Sequence, residues 1–244
     1  MIPKDFHFIY GLKSEPQEFH LVHYLCLRSC REVNEPDRIR LYCRHEPFGP
    51  YWEKVRPWVT VIGVSPPGEM HGRELVYAHQ SDFLRLEILN ARGGVYADMD
   101  TLFINRLPRE LYSHPFVMGV EGDHGLCNAF LMGERNSFFG LKWRAVMEEV
   151  FDFSWNVHSV ITPGKLARAY PGTVHVEPRE SFFKHTWDGD GLRNLFSSVD
   201  LHLERSYSLH LWANLSWEPH LGGLTEETLR EGGNTYAVLA RRFL

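Results

Sequence analysis

The sequence predicts an α/β fold whose sheet is mostly parallel in its first half. Two observations carry this. Strand-like segments at 6–10, 38–43 and 59–64 alternate with stretches of helical period at 16–31 and 74–91, the pattern of strands joined by crossover helices. The longest helical stretch then stops at Arg92-Gly93-Gly94, and the apolar run Val95-Tyr96-Ala97 leads straight onto Asp98 and Asp100. In open α/β sheets, ligands bind beyond the carboxyl ends of the strands, and both the first strand and the Asp98 strand end in residues suited to that edge.

Each element follows from local pattern. Residues 6–10 are apolar and end at Gly11, as a first central strand does. Between 16 and 31, Phe19, Val22, His23, Cys26, Leu27 and Cys30 recur at helical spacing. Segment 38–43 reads as a second strand. The Pro-rich segment 47–57, with Tyr51 and Trp52, reads as a short helix. Segment 59–64 is a third strand, broken by Pro66-Pro67-Gly68. Leu75, Ala78, Phe83, Leu86 and Leu89 mark the helix 74–91.

Beyond the aspartates, 108–111 is a short helix and 116–120 and 129–133 are strands. Segment 137–151 is helical, Thr162-Pro163-Gly164 opens a short helix, and 173–178 is a strand. The Gly- and Asp-rich segment 187–193 reads as a loop. An aromatic segment, 207–217, precedes a tail with a short helix, a Gly-Gly break and a final helix. With no internal repeat or low-complexity linker, 1–244 is expected to be one domain.

Composition narrows the function. The chain is 43% hydrophobic and 23% charged, ordinary for a folded soluble protein. A net charge of −5 argues against a general nucleic-acid surface. No run approaches a membrane span, and the N-terminal residues hold no apolar signal region. Cys26, Cys30, Cys43 and Cys127 lack zinc spacing and read as free thiols of a reducing compartment. A cytoplasmic protein is the resulting expectation.

The chemistry concentrates at Asp98 and Asp100. If the chain stays extended through Met99, both carboxylates share one face of the strand. Two such charges repel unless solvent or a cation offsets them. A hard divalent ion, Mn²⁺ or Mg²⁺, prefers oxygen ligands and commonly bridges phosphate oxygens. Upstream, Asp82 and Arg85 lie three apart on one helix face, in a helix that leads directly into the aspartates.

These residues carry a family resemblance. Ser81-Asp82-Phe83-Leu84-Arg85 followed by Gly93-Gly94-Val95-Tyr96-Ala97-Asp98-Met99-Asp100 resembles the DXD-motif sugar-transferase family. That family includes initiating α-1,6-mannosyltransferases and α-1,4-galactosyltransferases, and is distantly similar to the glucosyltransferase domains of clostridial toxins. The opening Ile2-Pro3-Lys4-Asp5-Phe6-His7-Phe8-Ile9-Tyr10 is similar to its first strand. Leu126-Cys127-Asn128-Ala129-Phe130 is similar to its central Asn-bearing segment, and His210 through Ser216-Trp217 to its C-terminal one.

The resemblance implies a Rossmann-like GT-A fold with a mixed central sheet flanked by helices. It also implies a nucleotide-sugar donor held through Mn²⁺ or Mg²⁺, an acceptor glycan, peptide or small molecule, and retention of anomeric configuration. By the same resemblance Asp98, Asp100, Asn128 and Trp217 are the catalytic group. Phe8, Tyr10, Asp82, Arg85, Asp98, Asn128, Ser216 and Trp217 bind the donor. Asp100, His210, Asn214 and Ser216 line the metal. Tyr10 stands where the family carries tryptophan, with a ring suited to stacking on the base. UDP-hexose is the first expected donor and GDP-mannose the second.

Two other readings compete. Asp98-Met99-Asp100-Thr101 also resembles the nucleophile motif of haloacid-dehalogenase-type phosphatases, with Lys165 and Gly189-Asp190-Gly191 as the later elements. There Asp98 attacks phosphorus and Asp100 is the acid/base. The other is a catalytically inactive relic that binds nucleotide or glycan.

Overall fold

The computed structural model describes residues 1–122 and 125–244. In chain order, β1 (Asp5–Ile9), α1 (Leu21–Asn34), β2 (Arg38–Cys43), α2 (Pro50–Val55) and β3 (Val59–Gly63) form the first half. A small hairpin, β4 (Glu69–Met70) and β5 (Arg73–Glu74), leads to α3 (Tyr77–Arg92), β6 (Gly94–Ala97) and β7 (Thr101–Phe103). Then come β8 (Phe116–Gly122), β9 (Gly125–Gly133), α4 (Phe138–Val150), α5 (Thr162–Ala169) and β10 (His175–Glu177). The chain ends with α6 (Arg179–Phe182), α7 (Gly189–Phe196), β11 (Ser208–His210), α8 (Ala213–Ser216), α9 (Glu226–Glu231) and α10 (Thr235–Ala240).

The central sheet has seven strands in the order β10-β8-β9-β6-β1-β2-β3. Strands β6, β1, β2 and β3 are mutually parallel, in register Phe6↔Val95 and Phe6↔Ile39. The second half is mixed: β9 runs antiparallel to both β6 and β8, and β10 is parallel to β8. A separate antiparallel pair, β7 with β11, ties the tail to the residues after Asp100.

Strand alternation explains the layering. Phe6, Phe8, Val95 and Ala97 enter the core under α1 and the C-terminal tail, where Tyr236, Ala240 and Phe243 close it. Tyr96, Ile9, Leu131 and Phe83 enter the opposite core with α3 and α4. His7, on the α3 side of β1, is wholly buried; its Nε2 bonds Gly93 O at 2.8 Å and its Nδ1 lies 3.1 Å from the Tyr42 hydroxyl. Gly94, at φ +118°, passes so close to β1 that a Cβ there would stand 2.5 Å from Asp5 O.

Three expected elements differ. Helix α1 begins at Leu21 rather than Pro16. Phe19 N instead donates to Phe48 O (2.9 Å), Glu18 bridges Phe48, and the His20 ring caps the helix by accepting from Val22 N. The expected loop 187–193 is largely helix α7. Asp188 Oδ1 accepts from Asp190 N and Gly191 N, an N-cap, and Leu195 is buried below it. Finally, the strand expected at 129–133 starts at Gly125.

Candidate active site

Strand β6 delivers Asp98 to the sheet's edge, where Asp98 N makes one more ladder bond, to Ala129 O at 2.9 Å. The chain does not stay extended from there. It turns, with Thr101 N donating to Asp98 O at 3.1 Å, so the two carboxylates meet through a turn rather than through strand alternation. The β7–β11 pair sets His210 opposite Thr101. Trp212 then takes a left-handed backbone (φ 55°), which aims the next amide, Ala213 N, at Asp100 Oδ2 (2.7 Å).

The outcome is a cluster in which one ligand atom each of Asp98, Asp100 and His210 lies within 4.8 Å of the others. His210 Nδ1 is buried and lacks a hydrogen-bond partner among the described residues; it lies 3.5 Å from Asp100 Oδ1. Burial pushes the Asp98 carboxyl above its ordinary range, Arg85 opposes that, and the Asp100 charge adds to it. Two crowded carboxylates and a free imidazole nitrogen are a donor set suited to a divalent ion, so these residues fit the metal the sequence implies.

Beside the cluster stands a buried polar network. Arg85 pairs with Asp82 Oδ1 (3.1 Å) and Asp98 Oδ1 (3.4 Å), and donates to Asn128 O (2.8 Å) and Ser81 O (3.2 Å). Its guanidinium also lies over the Tyr96 ring. The Asn128 amide donates to Asp82 Oδ1 at 2.7 Å, and the Tyr96 hydroxyl to Asp98 Oδ1 at 2.5 Å. His158 Nε2 meets Asp82 Oδ2 at 2.8 Å. Burial alone would raise the Asp82 carboxyl, but Arg85, His158 and Asn128 together hold it below its usual range. The Asp82–Arg85 pair is therefore no solvent-facing helix pair of small value; it is interior.

The other expected residues divide. Tyr10 and Trp217 come together around His23, at ring separations of 4.7 and 5.6 Å, the indole stacked on the imidazole. Phe8 stays in the core, its ring wholly buried edge-on to Phe103, and offers no surface to a ligand. Ser216 is buried and donates its hydroxyl to Leu211 O. Asn214 is exposed on α8. Asp98, expected in the catalytic and donor-binding groups, also offers a carboxylate oxygen to the three-residue cluster. A cleft of about 370 Å³ lined by Tyr24, Arg28, Lys54 and Trp58 shares no residue with the site; the convergence of charged donors, not cavity size, locates the chemistry.

Comparison with known proteins identifies the family. A family model described as "Glycosyltransferase sugar-binding region containing DXD motif" matches residues 53–117. The whole chain aligns with 71% of the Glucan organizing enzyme 1 of Cryptococcus neoformans var. grubii, at 31% identity over 262 residues. The chain belongs to the DXD-motif glycosyltransferase family. The solved structure of the PaToxG glycosyltransferase shares the fold, with a TM-score of 0.52 over 70% of this chain and 71% of that one, at 15% identity. The α/β transferase fold with a mixed sheet expected from the sequence is thus observed.

As a member of an enzyme family of glycosyltransferases, the chain carries its DXD pair at the turn after β6. The phosphatase reading is not favoured: Asp98 follows the fourth strand of the central sheet rather than its first, and Asp190 is exposed and paired with Arg193. Among the described residues, no helix is long and apolar enough to cross a membrane. Three participants escaped sequence reasoning. Tyr96 read only as a buried strand residue and His23 only as part of a helix stripe. His158, far from Asp82 in sequence, carries no local signal at all.

Proposed function

We propose that this protein, as a single domain, transfers a hexose from a nucleotide sugar to an acceptor glycan, peptide or small molecule, with retention of configuration. UDP-hexose is the first donor and GDP-mannose the second. The observation that carries this is the meeting of Asp98, Asp100 and His210 with the Arg85–Asp82–Asn128 network at the end of β6. A cytoplasmic setting accompanies the reading, supported by four free thiols.

In this reading Asp98, Asp100 and His210 would hold Mn²⁺ or Mg²⁺, which when bound would supply positive charge against a departing diphosphate. Asn214, exposed on α8, stands on the metal and diphosphate side, while Ser216, buried with its hydroxyl on Leu211 O, supports that segment from within. The chain does the rest. Asp82, fixed by three partners, keeps a lone pair for a sugar hydroxyl. Arg85 holds Asp82 and Asp98 at a set separation. Asn128 lines the sugar beside them. Tyr10 offers its ring to the base, and Trp217 covers the leaving phosphate, where an indole N–H can meet developing charge. Protonation of the leaving group by a strong acid is unnecessary, so no glycosidase-type carboxylate pair is required.

The test is a thermal-shift panel of UDP- and GDP-sugars with and without Mn²⁺, followed by turnover of the labelled donor. Ligands that bind the folded state raise its melting point. A Mn²⁺-dependent rise with one nucleotide sugar, and its slow hydrolysis, is expected. Phosphate release from simple phosphoesters without any nucleotide-sugar response would overturn the assignment. Binding without turnover would favour an inactive relic.

A further inference from the structure

We propose that His158 is a positioning residue for Asp82, setting how that carboxylate meets the donor sugar. The proposal rests on the reading of Asp82 as a sugar-binding group. Asp82 Oδ1 is held twice, by Asn128 Nδ2 at 2.7 Å and Arg85 Nη2 at 3.1 Å. Oδ2 has one contact, His158 Nε2 at 2.8 Å. Removing that contact frees one end of the carboxylate to rotate about the other.

The imidazole is built to hold still. It is wholly buried. Phe83 stacks parallel to it (6.2 Å, 8°), while Phe151 and His79 pack edge-on at 4.8 and 5.5 Å. Trp143 Nε1 donates to His158 O at 2.9 Å and pins the backbone. The segment Val157–Ile161 is π-helical, with Ile161 N reaching Asn156 O, a wider turn frequent at functional sites. His158 Nδ1 has no hydrogen-bond partner among the described residues. Asp82 is thus the ring's polar partner, and Nε2 carries the proton it donates. A hydrogen bond to a charged group is worth about 1.5–3 kcal/mol, which corresponds to roughly a tenfold or greater change in affinity when it is lost.

The test compares His158→Phe, which keeps a ring and removes the donor, with His158→Gln, whose amide N–H reaches toward the Nε2 position. His158→Asn, too short to reach, is the second donor-deficient variant should the Phe variant fail to fold. Calorimetry with Mn²⁺ measures UDP against UDP-glucose and GDP against GDP-mannose, with donor hydrolysis in parallel. Expected for Phe and Asn is a tenfold or greater loss of affinity for the cognate nucleotide sugar, unchanged affinity for its nucleoside diphosphate, and recovery with Gln. Equal weakening of both ligands without rescue by Gln, or wild-type sugar affinity in the folded variants, overturns the proposal. Asp82→Asn separates the two levels. If it leaves sugar affinity unchanged, the reading of Asp82 fails; if it lowers that affinity while His158→Phe does not, only the role of His158 fails.

Discussion

Acid should loosen the joint between β1 and β6 through His7. Burial drives its pKa down from 6.5 to about 4, partly countered by its bond to Gly93 O and reinforced by the Arg40 charge. The folded state therefore binds this proton less tightly than the unfolded chain. The resulting stabilisation is complete above pH 6.5 and is lost as pH falls toward 4. The two pKa values give a loss of about 2 kcal/mol between pH 7 and pH 5, and about 3 kcal/mol by pH 4. Against a total of roughly 5–15 kcal/mol for a folded domain, that is a large fraction. Other buried histidines, such as His79 and His185, shift the same way, so the His7 share must be isolated. Urea unfolding of the wild type and of His7→Gln, followed by tryptophan fluorescence at pH 7.5, 6 and 5, does this. The stability gap between the two should shrink by about 2 kcal/mol over that range. Two parallel stability curves would refute the reasoning.

Further outcomes are expected at the site and its supports. Asp100→Ala should abolish donor hydrolysis and transfer and remove the Mn²⁺-dependent rise in melting temperature while the protein stays folded; near-normal activity in excess Mn²⁺ would sink the assignment. Arg85→Ala removes an ion-pair partner from buried Asp82 and from part-exposed Asp98 and should cost about 3 kcal/mol in chemical denaturation, with weaker donor binding by calorimetry in whatever fraction folds. Gly94→Ala puts a Cβ against Asp5 O and the His7 ring at positive φ and should lower stability by more than about 1 kcal/mol; an unchanged denaturation midpoint would show that the backbone there yields.

What could be read in advance follows the range of the interactions. Strands β1, β3 and β6 were legible as short, largely apolar segments with Gly or Pro nearby and β2 as an alternating segment, Arg38-Ile39-Arg40-Leu41, and the end of α3 because Gly93 and Gly94 mark it. Asp82, Arg85, Asp98 and Asp100 share one short stretch of chain with a recognisable spacing. The geometry between them was not legible. An extended Asp98–Asp100 was the simplest expectation, yet the turn closed by Thr101 N decides how the carboxylates meet. Helix α7 was hidden by its glycines, since composition does not show that Asp188 caps it or that Gly191 lies against Thr186 O, where a Cβ would come within 2.0 Å. His158 and Asp82 are 76 residues apart, and no periodicity reports such a pair.

The tail is as much a part of the Asp98–Asp100–His210 cluster as the DXD turn. A tryptophan in the left-handed region costs about 1–2 kcal/mol relative to ordinary backbone, and chains retain such a conformation only where surrounding contacts impose it. Here those contacts are specific: Trp212 Nε1 donates to His185 O at 2.8 Å, and its ring packs against His210 (4.3 Å) and Phe183. The bend they impose turns Ala213 N onto Asp100 Oδ2 and follows directly on His210. One short segment thus supplies a ligand candidate, an amide that orients a second ligand, and through Trp217 an aromatic face over His23. The acidic pair after β6 is the part of this arrangement that a motif reveals. Its shape is set from more than 100 residues downstream, which is why an Asp-x-Asp triplet alone says little and the same triplet closed by β11 and α8 specifies a site.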